Sequence, residues 1–262
     1  MTNAAGRRLR LGCVQYLNAR PLIDGWPGEV SFDHPAALCD RLAARDLDVA
    51  LVSSFEFLRA PIYTVVDRIA IGSDGPVFSV FVAYRGELAT SRSIQMDPAS
   101  RTSVNLLRCI FGELNLSTPF VAATPAEIAE NPEDVGRLII GDQAIRFRQR
   151  HGDAYRYLDL GERWRAITGL PFVYALWLIR PEVADRGLIA AQLRALRDGN
   201  IARLDDLAAT HAAMSPEFCR FYWRECLKFD FGEREQAGLL KFRSLCQKHG
   251  ILERTTAPLR LA

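Results

Sequence analysis

Val49-Ala50-Leu51-Val52 is an unbroken aliphatic run, followed at once by Ser53 and, three residues later, by Glu56. A strand without a polar face needs cover on both sides, the condition of a parallel sheet flanked by helices. Ser53 with Glu56 has capping-box spacing, which predicts a helix starting where the strand stops. The same alternation precedes it. Leu9 to Tyr16 reads as a strand, and Pro21 opens a helix. Val30 to Phe32 is a second strand, and Leu38 and Leu42, four apart, share a helical face. Such βαβαβα order predicts a parallel sheet.

Ile62 to Ile71 and Val77 to Tyr84 read as longer strands separated by Gly72-Ser73-Asp74-Gly75-Pro76. A second alternation follows: strand Ser93 to Met96, helix from Thr102, strand Phe120 to Ala122, and a helix from Thr124-Pro125, with Glu127 completing a capping box. Leu138 to Ile140 is then a strand, with a helix after Asp142. Phe172 to Ile179 is strongly apolar, and the chain beyond Pro181 reads as helical, with Ser215-Pro216-Glu217 as one helix start and Leu239, Phe242 and Cys246 on one face. A chain of 262 residues holds one large domain or two modest ones. Two alternations predict two lobes, with the runs at 77–84 and 172–179 as crossings. Residues 1–86 with 178–262 would form a discontinuous first lobe and 87–177 the second. Two crossings make a hinged cleft, and ligands favour such interfaces.

Lys plus Arg number 33 against 31 Asp plus Glu, a net charge of +2. That balance excludes a protein whose main work is wrapping nucleic acid, but leaves room for a locally basic pocket. No secretory apolar segment follows Arg7, Arg8 and Arg10, and no stretch reaches the ~20 apolar residues of a membrane span, so a cytoplasmic protein is expected. The six cysteines lack a C-x-x-C pair and read as reduced, mostly buried thiols, and the four histidines are scattered. No metal site is expected, and no glycine-rich phosphate loop is present.

Four polar stretches stand at strand ends. In Gln15-Tyr16-Leu17-Asn18-Ala19-Arg20-Pro21-Leu22, Asn18 is either a helix cap or a donor and acceptor facing a cleft. Ser79, between Phe78 and Val80, is either a backbone-satisfied hydroxyl or a cleft-facing one. Asp97-Pro98-Ala99-Ser100-Arg101-Thr102-Ser103-Val104 crowds hydroxyls and an arginine at a helix start, and an anion cradle is favoured there over a simple cap. Asp142, after Gly141, reads most simply as a helix cap, with ligand or lobe contact as the alternative. Trp164, Trp177 and Trp223 read as core.

Taken with Leu138-Ile139-Ile140-Gly141-Asp142 and Thr168-Gly169-Leu170-Pro171-Phe172-Val173-Tyr174-Ala175-Leu176-Trp177, these stretches resemble, in order and spacing, the chorismate dehydratases of the futalosine route to menaquinone. The resemblance runs from about residue 9 to 180, and departs at Ile167, where many members carry tryptophan. It implies an α/β, two-lobed fold like the type II periplasmic binding proteins, with a cleft between the lobes. It also implies cofactor-free loss of water from chorismate to give 3-[(1-carboxyvinyl)oxy]benzoate. On that resemblance Asn18 and Ser79 would be catalytic. Ser100, Arg101, Thr102 and Ser103 would bind substrate, with Thr102 and Ser103 in direct contact, and Asp142 would hold the pocket edge. A small-anion binding protein of the same fold and 1,4-dihydroxy-6-naphthoate synthase are the alternative readings.

Overall fold

The computed structural model describes residues 8–96, 100–123, 134–254 and 256–262. Two five-stranded sheets organise the chain. The first has β1 (Leu11–Cys13), β2 (Val30–Phe32), β3 (Val49–Ser53), β4 (Thr64–Ser73) and β10 (Phe172–Ile179) in the order β2-β1-β3-β10-β4. The second has β5 (Val80–Tyr84), β6 (Ser93–Met96), β7 (Phe120–Ala122), β8 (Val135–Ile140) and β9 (Arg156–Asp159) in the order β7-β6-β8-β5-β9.

The expected parallel pairing holds for β1 with β2 and β3, and for β6 with β7 and β8. Each sheet is nevertheless mixed. β10 runs antiparallel between β3 and β4, and β5 runs antiparallel between β8 and β9. Both are strands through which the chain enters a lobe from the other one, so they meet the local strands head to tail. Sheet membership also corrects the expected boundaries: residues 80–84 belong to the second sheet and 172–179 to the first. The crossings themselves are the segment between β4 and β5 and the segment between β9 and β10.

Burial explains the remaining elements. Helix α2 (Pro35–Ala43; α1 is the single turn Arg20–Ile23) buries Leu38, Cys39 and Leu42, and all five residues of β3 are buried. After α3 (Ser54–Arg59) comes α4 (Arg101–Glu113), which starts directly after Ser100. Helix α5 (Gly141–His151) follows β8, and α6 (Leu160–Thr168) follows β9. The last two elements, β9 and α6, add to the expected ones, and Leu160, Trp164 and Ile167 at i, i+4 and i+7 carry the helical period of α6. The tail supplies α7 (Arg186–Ala202), α8 (Leu204–Ala209), α9 (Pro216–Phe221) and α10 (Glu233–Lys248), with Leu239, Phe242 and Cys246 buried as one face. Its last residues bond to β4, Val65 donating to Arg260 O at 2.8 Å. The three tryptophans read as core are each at most 1% exposed, and all six cysteines are free and buried.

Two local expectations change. Ser53 and Glu56 make no capping box: the Ser53 hydroxyl bonds to Thr102, while Glu56 pairs with Arg59 and Arg101. The strand expected from Val77 begins at Val80, because Phe78 takes φ +66° and turns the chain. The helix predicted from Thr124-Pro125, the capping-box residue Glu127 and Asp97 to Ala99 lie outside the described residues.

Candidate functional site

A cleft enclosing about 630 Å³, its mouth included, opens between the lobes at the carboxyl ends of β1, β3 and β8. Asn18, Ser79, Ser100, Arg101, Thr102 and Ser103 all line it, so six of the seven residues singled out in the sequence converge on one space. Asp142 is outside that lining.

The Asn18 segment follows β1 as a turn of 3-10 helix over Leu17–Ala19. Asn18 caps nothing, and its Oδ1 is buried without a hydrogen-bond partner. A buried amide oxygen left this way costs free energy until something donates to it. The segment itself is pinned on both sides: Trp223 Nε1 donates to Leu17 O at 2.9 Å, and Leu17 N donates to Asp142 Oδ1 at 3.0 Å. Asp142 sits in the first turn of α5 and caps no helix, because Ile140 holds the cap position without a side-chain bond. Its carboxylate serves the contact between lobes, and burial pushes its pKa above the ordinary value.

Ser79 is placed by a carboxylate that sequence reasoning missed. Asp159 accepts from the N–H groups of Val77 and Phe78, the latter at 2.8 Å, and also from Gly161 and Glu162 at the start of α6. One buried side chain therefore caps a helix and holds the turn before β5. Burial raises its pKa despite those four donors. Asp159 with Glu162, three apart, was the available signal, but cap spacing does not reveal a second, distant segment. The Ser79 hydroxyl lies 2.6 Å from the Tyr222 hydroxyl, and Ser79 O accepts from Gly141 N at 2.8 Å.

At the start of α4 the hydroxyls divide their work. Thr102 Oγ1 donates to Tyr174 O at 3.1 Å and accepts from Ser53 and from Phe55 N. Its bonding capacity is thus used in joining the lobes. Ser100 and Ser103 line the cleft and have no side-chain partner among the described residues. Arg101 also lines it while pairing with Glu56 at 3.0 Å and Asp40 at 2.6 Å. Burial opposes its charge, but the bond to Asp40 and the nearby anions raise its pKa overall. Ser53, Tyr16 and Tyr174 complete the polar lining.

Among the described residues the lining contains no carboxylate, imidazole, thiol or amine. Its formal charge is one arginine, reinforced by the free N–H groups of a 13-residue helix. Such a cleft suits an anion and offers hydrogen bonds rather than a protein base. No group of three or more His, Cys, Asp or Glu is placed to hold a metal ion among the described residues, and no described helix is long and apolar enough to cross a membrane.

A chorismate dehydratase of Thermus thermophilus is 26% identical over 257 residues, 88% of this chain and 93% of that protein. One from Campylobacter jejuni is 30% identical over 162 residues, 61% of this chain and 58% of that protein. Among solved structures, an alkanesulfonate-binding protein of Xanthomonas axonopodis pv. citri bound to MOPS superposes with a TM-score of 0.62 at 14% identity, covering 97% of both chains. An aliphatic sulphonate-binding protein of Escherichia coli gives 0.59 at 13% identity over 95% of this chain and 94% of that one. The fold is therefore the two-lobed periplasmic-binding-protein type. Residues 9–248 match the family described as menaquinone biosynthesis, and the chain belongs to that family.

Proposed function

We propose that this protein is a chorismate dehydratase. The carrying observation is the cleft itself: one arginine, a helix start and open hydroxyls on one side, an unpartnered buried amide on the other, and no described protein base between them. Chorismate is a dianion whose C3 proton is vinylogous to the ring carboxylate and whose C4 hydroxyl must leave. Breaking C3–H and C4–O and forming the C3–C4 double bond releases water and leaves an aromatic ring. The enolpyruvyl carboxylate of the substrate is close enough to C3 to take the proton, so the protein's task is to orient that carboxylate and to stabilise developing charge.

In this reading Arg101 and the α4 start hold a carboxylate, with Ser100 and Ser103 donating beside them. Ser79 donates to the leaving oxygen, and the Asn18 amide accepts from the substrate hydroxyl through Oδ1 or donates to the other carboxylate through its NH₂. Similarity to two chorismate dehydratases supports the substrate class.

Incubation of the purified protein with chorismate tests this. The expected result is loss of the diene absorbance with formation of 3-[(1-carboxyvinyl)oxy]benzoate, and a turnover loss of at least ~100-fold for Asn18→Ala and Ser79→Ala with folding intact. An unchanged spectrum together with tight chorismate binding would replace the enzyme with a binding protein of the same fold.

A further inference from the structure

Tyr222 lies outside the cleft lining and bonds to it through its hydroxyl. Its hydroxyl is 2.6 Å from Ser79 Oγ, and the side chain is 0% exposed. Each hydroxyl carries one hydrogen, and only one of the two can lie in the bond they share. If Ser79 donated to Tyr222, the phenolic hydrogen would be left without an acceptor, since Ser79 is its one hydrogen-bond partner among the described residues. A buried donor without an acceptor is disfavoured. The bond therefore runs the other way, and the Ser79 hydrogen is released toward the cleft that Ser79 lines.

The placement of Tyr222 reinforces this. Residues Tyr222–Cys226 form a π-helical turn, a wide turn that recurs at functional sites. It presents two consecutive side chains to the cleft wall: Tyr222 to Ser79, and Trp223 to the carbonyl before Asn18. The preceding turn packs Phe218 and Phe221 on Phe78, with ring centroids at 5.4 and 6.0 Å. Phe218 also stacks on Tyr222, 5.9 Å between centroids. One short stretch of the tail thus steadies both segments from which the candidate catalytic side chains emerge.

Resting on the dehydratase reading, we infer that Tyr222 is a positioning residue that fixes Ser79 as a hydrogen-bond donor to the departing oxygen of the substrate. A chain of two hydroxyls in a dry site also polarises the outer one, making it a better donor.

The test is a double-mutant cycle on chorismate turnover. Tyr222→Phe should lower kcat by about 10- to 100-fold with KM within about threefold, and should leave the unfolding midpoint near that of the parent. In a Ser79→Ala background the same substitution should change kcat by less than about twofold, because Tyr222 acts only through Ser79. An equal loss in both backgrounds would make the role merely structural and overturn the inference, as would normal turnover by Tyr222→Phe. Should Tyr222→Phe fail to fold, 3-fluorotyrosine at position 222 keeps the bond with a stronger donor. Turnover at or above the parent level then supports the inference, and a loss of more than about threefold opposes it. A parent protein that leaves chorismate intact would bring down the dehydratase reading itself, and this inference with it.

Discussion

The backbone N–H of Leu17 donates to Asp142 Oδ1 at 3.0 Å, tying the segment after the first strand to the first turn of a helix in the other lobe. Burial holds the Asp142 pKa above its unfolded value of 3.8. The native state then binds this proton more tightly than the unfolded chain, so the Asp142 contribution to stability is full below pH 3.8 and is lost as pH rises through the raised native value. Asp142→Asn keeps an acceptor for Leu17 without the charge. Urea unfolding from about pH 4 to 7 should show a weaker fall in stability with pH for Asp142→Asn than for the parent. An identical slope would place the pH dependence elsewhere.

Substitution of Asp159 should carry a larger cost. Its two oxygens receive four backbone N–H groups, and an amide side chain would turn an NH₂ toward one of them. Asp159→Asn should therefore cost about 1–3 kcal/mol in denaturant unfolding, the penalty for a buried donor left unpaired. With the turn at Phe78 loosened, chorismate turnover should fall by more than about tenfold.

Gly141 takes φ +62°, and a Cβ there would lie 3.2 Å from the Tyr16 ring, part of the cleft lining. Gly141→Ala combines a backbone cost of about 1–2 kcal/mol with a displaced ring. Lower stability and a raised KM for chorismate are both expected, read from unfolding curves and steady-state kinetics.

A cleft whose described lining holds no carboxylate, imidazole, thiol or amine should give a flat pH profile. Its ionisable groups are tyrosines and an arginine, which ordinarily titrate near or above about pH 10, so kcat should vary by less than about twofold between about pH 6 and 9. Burial raises Tyr174 further still. A bell-shaped profile centred near neutrality would require a protein acid or base in the reaction.

Much of this was legible in the chain itself. The Val49–Val52 run, the helical face of Leu38 and Leu42, a helix beginning near Thr102, and the apolar face of Leu239, Phe242 and Cys246 are periodicity and cap signals, read within about ten residues. Asn18, Ser79 and residues 100–103 stood out because polar residues at strand ends interrupt apolar surroundings, and they share one cleft.

Tertiary structure alone decided how those residues are used. Ser53 and Glu56 have cap spacing, yet Thr102, 49 residues after Ser53, and the arginines at 59 and 101 claim them. Asp142 bonds to a backbone group 125 residues away, and Ser79 to a hydroxyl 143 residues away. Sequence by itself determined most of the strands, helices and polar ends, because those depend on neighbours along the chain. Pairing direction in the sheets, the lobe to which each crossing strand belongs, and the donor or acceptor role of each cleft hydroxyl depend on partners that only folding brings within hydrogen-bond reach.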